Sequence, residues 1–386
     1  MIPSNHSLDS SSLPESGGHQ AAEQIAAADR RALMAMALVG FSRASQAVGM
    51  VEHNLQIFDQ RIRLCFAGSS LADALLPALA HLKVEASESE PSLTLHLWDS
   101  ESTATNLPLM LEGIVQLWRH RWWEVLDTRR EVKAFCDAST RTVFHLGPDI
   151  LSILDLSQNR GVYWVKDGTS LPYYERGSPI TALLSWWLES RGRILLHAAA
   201  ISEGQGCVLL PGKGGSGKST TTLACLDSGL RILGDDYCAL QRNPEPQIHS
   251  LYNTCKLKGR EDVEMRFSHL RHLVSNIDHL ETEKALIFLH EHAADVLIRQ
   301  APLRAILLPR VTGERDTHLR PAAAGQALRF LAPSTMFQFP GDAGLIFRES
   351  VSLIRQLPVW ELALGTDLSQ IPQVIRGVLR DLAPST

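Results

Sequence analysis

The octapeptide Gly212-Lys213-Gly214-Gly215-Ser216-Gly217-Lys218-Ser219 has the spacing of a phosphate-binding loop. It constrains the fold more than any other feature, because such a loop works only between a buried strand and a helix N-terminus. Both flanks are present. The apolar run Cys207-Val208-Leu209-Leu210 reads as the incoming strand, and Ser219 to Leu226 reads as the outgoing helix, ending at Ser228-Gly229. The glycines let consecutive N–H groups point at phosphate oxygens, and the helix N-terminus adds partial positive charge. Lys218 is placed to reach the terminal phosphates, the Ser219 hydroxyl to hold Mg²⁺, and Thr220 to complete the nucleotide contacts. A glycine-rich surface turn is the plainer reading of the octapeptide, and the strand and helix around it argue against that reading. The residues predict a site for a nucleoside triphosphate, with ATP and Mg²⁺ as the cofactors.

At 386 residues the chain is long enough for two or three domains, and 45% hydrophobic with 20% charged residues is ordinary for a protein with real cores. A net charge of -5 gives no electrostatic reason to expect nucleic acid. Six cysteines make no CxxC pair, and Cys207, Cys225 and Cys238 fall in apolar runs where a buried, reduced thiol is expected. No apolar run approaches the roughly 20 residues of a membrane span. The nearest, Ala32 to Phe41 behind Arg30-Arg31, sits far from the N-terminus and reads as a helix and not a secretion signal. A cytoplasmic protein with no membrane partner is expected.

Residues 1–20 are Ser/Gly-rich and predict a disordered tail. Ala21 to Val51 reads as helix, Gln56 to Phe66 and Leu93 to Trp98 as strands, and Leu71 to Leu82 as a helix between them. Leu109 to Leu126 reads as a helix carrying Trp118, Trp122 and Trp123, a hydrophobic seam that alternatively offers aromatic anchors, as does Tyr173-Tyr174. A β meander over Lys133 to Ile150 and Gly161 to Lys166 and a helix from Pro179 to Ser190 lead into the nucleotide-binding half.

There, Arg193 to Ile201 reads as a strand and Ser202 to Gly206 as a hairpin turn. Pairing Ser202 with Cys207 puts His197 opposite Gly212, beside the phosphate loop. The helix after the loop runs out for about 18 Å and the strand Leu230 to Asp235 returns about 20 Å, so Asp235 and Asp236 come back level with the loop. A right-handed crossover places that strand next to the loop's strand or one away. Of two adjacent carboxylates near Mg-nucleotide, one suits the metal and the other a proton from an attacking hydroxyl.

The combination of a strand histidine, a GxxGxGKS loop, a short helix and Gly234-Asp235-Asp236 resembles the catalytic domain of HPr kinase/phosphorylase, itself related to phosphoenolpyruvate carboxykinase. The resemblance covers about Arg193 to Leu240. It implies that Asp235 is the catalytic base, Asp236 the metal-associated carboxylate, His197 an orienting group, and Lys218 and Ser219 the nucleotide residues. The family's Glu-Ile-Arg-Gly-Leu-Gly signature is absent. The nearest segment, Ser250 to Lys258, offers Asn253 as a metal ligand and Lys256 as a clamp on phosphate. Segments 302–310, 331–341 and 356–367 look like those of divergent HPr-kinase-related proteins that accompany ribosomally made peptide pathways. Read locally, 302–310 and 358–364 are buried strands, Pro333-Ser334-Thr335 a helix start, and His269, His272, His279, His290 and His292 a solvated set and not a metal site.

The expected fold is α/β. A phosphate-loop kinase domain of HPr kinase/phosphoenolpyruvate carboxykinase type (191–386) follows an accessory α/β domain (21–190). The expected activity is transfer of the γ-phosphate to a serine hydroxyl of a peptide or protein; a small-molecule kinase and a nucleotide-gated binding protein are the alternatives. A homo-oligomer stays open.

Overall fold

The computed structural model of the chain describes residues 15–383. The expected disordered tail therefore lies outside the described residues up to Pro14, while from Glu15 the chain is already in a helix that runs to Val48.

The first half is built on a seven-stranded sheet: β1 (Met50–Ile57), β2 (Gln60–Ala67), β3 (Lys83–Val84), β4 (Leu93–Asp99), β5 (Thr140–His145), β6 (Ile150–Asp155) and β7 (Arg160–Val165), in the order β3-β1-β2-β4-β7-β6-β5. The strand expected over 56–66 is instead two strands of a hairpin. Phe58 takes φ 59° at its tip, a turn that no glycine or asparagine announces. β2, β4 and β7 are parallel neighbours, so both faces of this sheet must be covered. On one face Trp98, Leu151 and Trp164 pack against the long helix and the helix Leu109–His120. The other face carries Leu64, Leu95, Tyr163 and Val165, and it meets the second half of the chain.

The second half contains β8 (Ile194–Leu196), β9 (Ala198–Glu203), β10 (Gly206–Pro211), β11 (Arg231–Gly234), β12 (Cys238–Gln241), β13 (Gln247–Ser250), β14 (Thr254–Leu257), β15 (Ala285–Phe288), β16 (Gln300–Val311), β17 (His318–Pro321) and β18 (Val359–Leu364). Nine of them form one sheet along the order β11-β9-β10-β16-β13-β12-β8, with β18 on β16 and β17 on β18; β14 and β15 pair separately. The runs Ala198–Ile201 and Cys207–Leu210 are apolar throughout because both faces are buried, and period-two alternation sorts them. Ala199, Ile201, Val208 and Leu210 face Ile371 and Ile375 of the helix Gln370–Asp381. Ala198, Ala200, Cys207 and Leu209 face Leu331 of the helix Ala324–Met336 and Leu353 of the helix Ala343–Gln356. Pro333-Ser334-Thr335 thus lies in the last turn of a helix and does not start one. The helices begin instead at Ala324 and at Ala343, the second capped by Asp342, whose carboxylate accepts the N–H groups of Gly344 and Leu345.

The two halves share one hydrophobic core. Leu183, Leu184, Trp186 and Trp187 of the helix Thr181–Glu189 pack together with residues of the first sheet and with Leu195, Tyr237, Tyr252, Leu286 and Phe339 of the second half. The boundary near residue 190 is a change of architecture but not a break in packing.

Candidate active site

The expected strand Arg193 to Ile201 is interrupted at His197. β8 pairs with β12, whereas β9 pairs with β10 and β11. The returning chain makes the same step, because β11 lies on β9 and β12 on β8. Two segments, one through His197 and one through Asp235-Asp236-Tyr237, therefore cross together where the sheet parts. At such a parting, side chains that would otherwise be locked in a ladder face a crevice instead. β11 sits one strand away from β10, with β9 antiparallel between them, as the crossover argument requires. Gly234 makes the turn possible: a Cβ there would meet the Tyr237 carbonyl oxygen at 2.8 Å.

The register Cys207↔Ser202 continues to Pro211↔Ala198, so His197 stands beside Gly212 at the end of the pairing. The loop then turns through Gly215 (φ 83°) and Gly217 (φ 105°) into the helix Lys218–Ala224. Any side chain at Gly217 would also strike Leu364. Lys213, Gly214 and Gly215 are exposed, whereas Lys218 is buried and its Nζ donates to the Gly212 carbonyl at 2.5 Å. Burial draws the Lys218 pKa down, and Asp236 and then Asp235 pull it back up.

The two carboxylates have different surroundings. Asp235 is buried beside the Ser219 and Thr222 hydroxyls; its Oδ2 accepts the Lys256 N–H at 3.1 Å and its Oδ1 has no hydrogen-bond partner. Burial, and then the neighbouring Asp236, push its pKa up to about 6. Asp236 lies between two cationic or donor groups, with His197 Nε2 2.8 Å from its Oδ1 and Lys256 Nζ 2.9 Å from its Oδ2. Burial opposes the charge on Asp236, yet Lys256 and His197 hold its pKa well below the usual carboxylate range. Burial lowers the His197 pKa, so the neutral imidazole with its proton on Nε2 donates to Asp236. Its backbone N–H donates to Thr335 Oγ1 at 3.2 Å, which ties the segment 331–341 to the site.

The structure takes Asn253 out of the expected metal set. Its amide nitrogen donates to the Pro77 and Ala78 carbonyls at 2.8 and 3.0 Å, and its oxygen accepts the His290 N–H at 3.3 Å. Asn253 is a latch between the two halves. Lys256, in contrast, belongs to the site. Ser178, Thr222 and Tyr237 join it without having been singled out in the sequence, and Thr335, read there as part of a helix start, joins it through His197; Tyr237, directly after the Asp pair, carried a positional signal. Among the described residues no group of three or more His, Cys, Asp and Glu side chains is arranged to hold a metal, the five candidate histidines included. Ser219 with the unpartnered Asp235 oxygen is the set that fits a divalent cation arriving with nucleotide.

Trp118 is core, edge-on to Phe135. The helix expected over Leu109 to Leu126 ends at His120, and Trp122 and Trp123 are exposed on a separate short helix, Trp122–Val125, that follows the helix covering the face of the first sheet away from the second half. Tyr173 is on the near side, where its N–H donates to Glu283 and where the following Ser178 reaches Lys256. All six cysteines are free, and no described helix is long and apolar enough to cross a membrane.

No family model and no curated protein matches this chain. Among solved structures it is similar to the HPr(Ser) kinase/phosphatase from Coxiella burnetii, at 13% identity over 48% of this chain and 94% of that one, with a TM-score of 0.26. At that TM-score the likeness carries no argument, and the functional reading rests on the geometry.

Proposed function

We propose that the chain is an ATP-dependent phosphotransferase acting on a serine hydroxyl of a peptide or protein. The observation that carries this reading is the convergence of Lys218 and Ser219 with Asp235, Asp236 and His197 where the sheet parts. The Gly212–Gly217 amides and Lys218 hold the β- and γ-phosphates. Mg²⁺, when bound beside Ser219, supplies neutralisation of charge on the phosphate oxygens. The surroundings of the two carboxylates favour exchanging the roles expected from the sequence. Asp235, next to Ser219 and with a free oxygen, serves the metal. Asp236, partly open to the cleft, orients the acceptor hydroxyl and takes its proton as the new P–O bond forms and the bond to the β-phosphate oxygen breaks, releasing ADP. His197 holds Asp236 in place. A polypeptide acceptor is favoured because residues 173–178 from the first half border the site. The test is mass spectrometry of peptides and small metabolites incubated with the enzyme and Mg-ATP. Serine phosphopeptides support the reading. A phosphorylated sugar or amino acid with untouched peptides replaces it by a small-molecule kinase, and nucleotide binding without transfer replaces it by a nucleotide-gated binding protein.

A further inference from the structure

Lys256 has an environment built around its charge. Its side chain is only 7% exposed, its ammonium is 2.9 Å from Asp236 Oδ2 and 3.1 Å from Ser178 Oγ, and it lies 5.3 Å from the centre of the Tyr237 ring. Its stem is clamped as well, since a Cβ on Gly177 would approach Lys256 Cε to 3.0 Å. A lysine confined by a carboxylate, a hydroxyl and an aromatic face is a fixed point charge in a cleft of low dielectric. It also closes Asp236 to metal. A cation at Asp236 would have to sit beside the Lys256 ammonium, which repels it, whereas a neutral hydroxyl can still donate to a remaining lone pair on either Asp236 oxygen, each of which has one partner, His197 or Lys256. Asp235 Oδ1 has no hydrogen-bond partner, and the Ser219 hydroxyl lies beside that carboxyl group.

We propose that the Lys256 ammonium stands in for a second divalent cation, so that this site takes one metal ion per nucleotide. The proposal rests on the phosphotransferase reading and adds to it the cation inventory of the site. Lys218 and Lys256 bracket the Asp pair, and the fixed ammonium supplies charge that needs no recruitment from solution. Ser178, contributed by the first half, is a positioning residue for Lys256 and through it for Asp236.

The stoichiometry of Mn²⁺ bound to the full chain with a non-hydrolysable ATP analogue tests this, read from the electron paramagnetic resonance of free Mn²⁺. One Mn²⁺ per chain is expected for the wild type. Lys256→Met should release Asp236 Oδ2 and admit a second, weaker Mn²⁺, while Lys256→Arg keeps a charge and stays at one. Two Mn²⁺ per nucleotide in the wild-type protein overturns the proposal without any variant having to fold, and so does a folded Lys256→Met that still takes one. Absence of nucleotide binding in the wild type removes the phosphotransferase reading itself and this inference with it.

Discussion

Trp187→Ala tests whether the two halves unfold as one body. Trp187 is fully buried in the core shared by the first sheet, the helix Thr181–Glu189 and the second half. A tryptophan buries roughly 200 Å², which at about 25 cal/mol per Å² is about 5 kcal/mol of transfer free energy. Two further contributions shift that figure. The indole N–H has no hydrogen-bond partner, so its removal recovers about 1–2 kcal/mol, and the loss of the Arg191 guanidinium stacked at 4.6 Å adds about 0.5–1 kcal/mol back. The expected cost is about 4 kcal/mol, within the range of about 3–5 for such truncations. The assay is thiol labelling across a urea series, read cysteine by cysteine. Cys65 is buried in the first half and Cys238 in the second. In the wild type both should become reactive over one urea range, and in Trp187→Ala both should move down together. If only one of them moves, the halves are thermodynamically separate and the shared core is not what joins them. A protein truncated before residue 191 would expose the same core face, so it is a poor vehicle for testing nucleotide binding.

Other expectations follow from particular groups. Lys218→Ala should abolish detectable Mg-ATP binding by calorimetry with little change in urea stability; unchanged affinity and turnover would remove Lys218 from the phosphates. Asp236→Asn should lower transfer by about 10²- to 10⁴-fold with nucleotide affinity retained, whereas Asp235→Asn should chiefly raise the Mg²⁺ requirement, and the reverse pattern restores the roles expected from the sequence. Thr335→Val keeps the side chain's shape but leaves the His197 N–H buried without its acceptor, costing about 1–3 kcal/mol by urea unfolding, and a change below that range would mean the bond is not made in solution. Glu189 has its pKa pushed by burial from 4.5 to about 7, so the folded state holds the proton more tightly than the unfolded one and stability falls as pH rises through that window. Glu189→Gln should therefore raise the melting temperature at pH 8 and leave it nearly unchanged at pH 4; equal shifts at both would show that the carboxyl is not buried as described.

Much of the site was legible because its geometry is local. The hairpin register from Ser202 and Cys207, the length match of helix and return strand, and the crossover one strand away all depend on residues within about forty positions of the loop. What escaped is long-range or unmarked. The apolar run 194–201 does not show that His197 is the point of departure between two sheet edges, since residues on either side are equally buried. Asn253 and Lys256 are both plausible ligand types three residues apart, and only the packing of Pro77-Ala78 against one and Gly177-Ser178 against the other separates latch from site. Pro333 reads as a helix start, yet it lies inside the helix Ala324–Met336, where it forgoes one backbone hydrogen bond. The shared core is invisible for a similar reason, because hydrophobicity marks a face as buried without naming what buries it.

The parting of the sheet at His197 makes the site a matter of counting. Between Leu196, paired with Cys238, and Ala198, paired with Pro211, there is one residue, and the strand's two-residue period fixes which way it faces. Insertion of a single residue there would leave both sheet edges able to pair and yet turn the imidazole away from Asp236, and deletion would remove the imidazole altogether. The chain can change composition freely along these strands while keeping its core, but it cannot change length at that step and keep its chemistry.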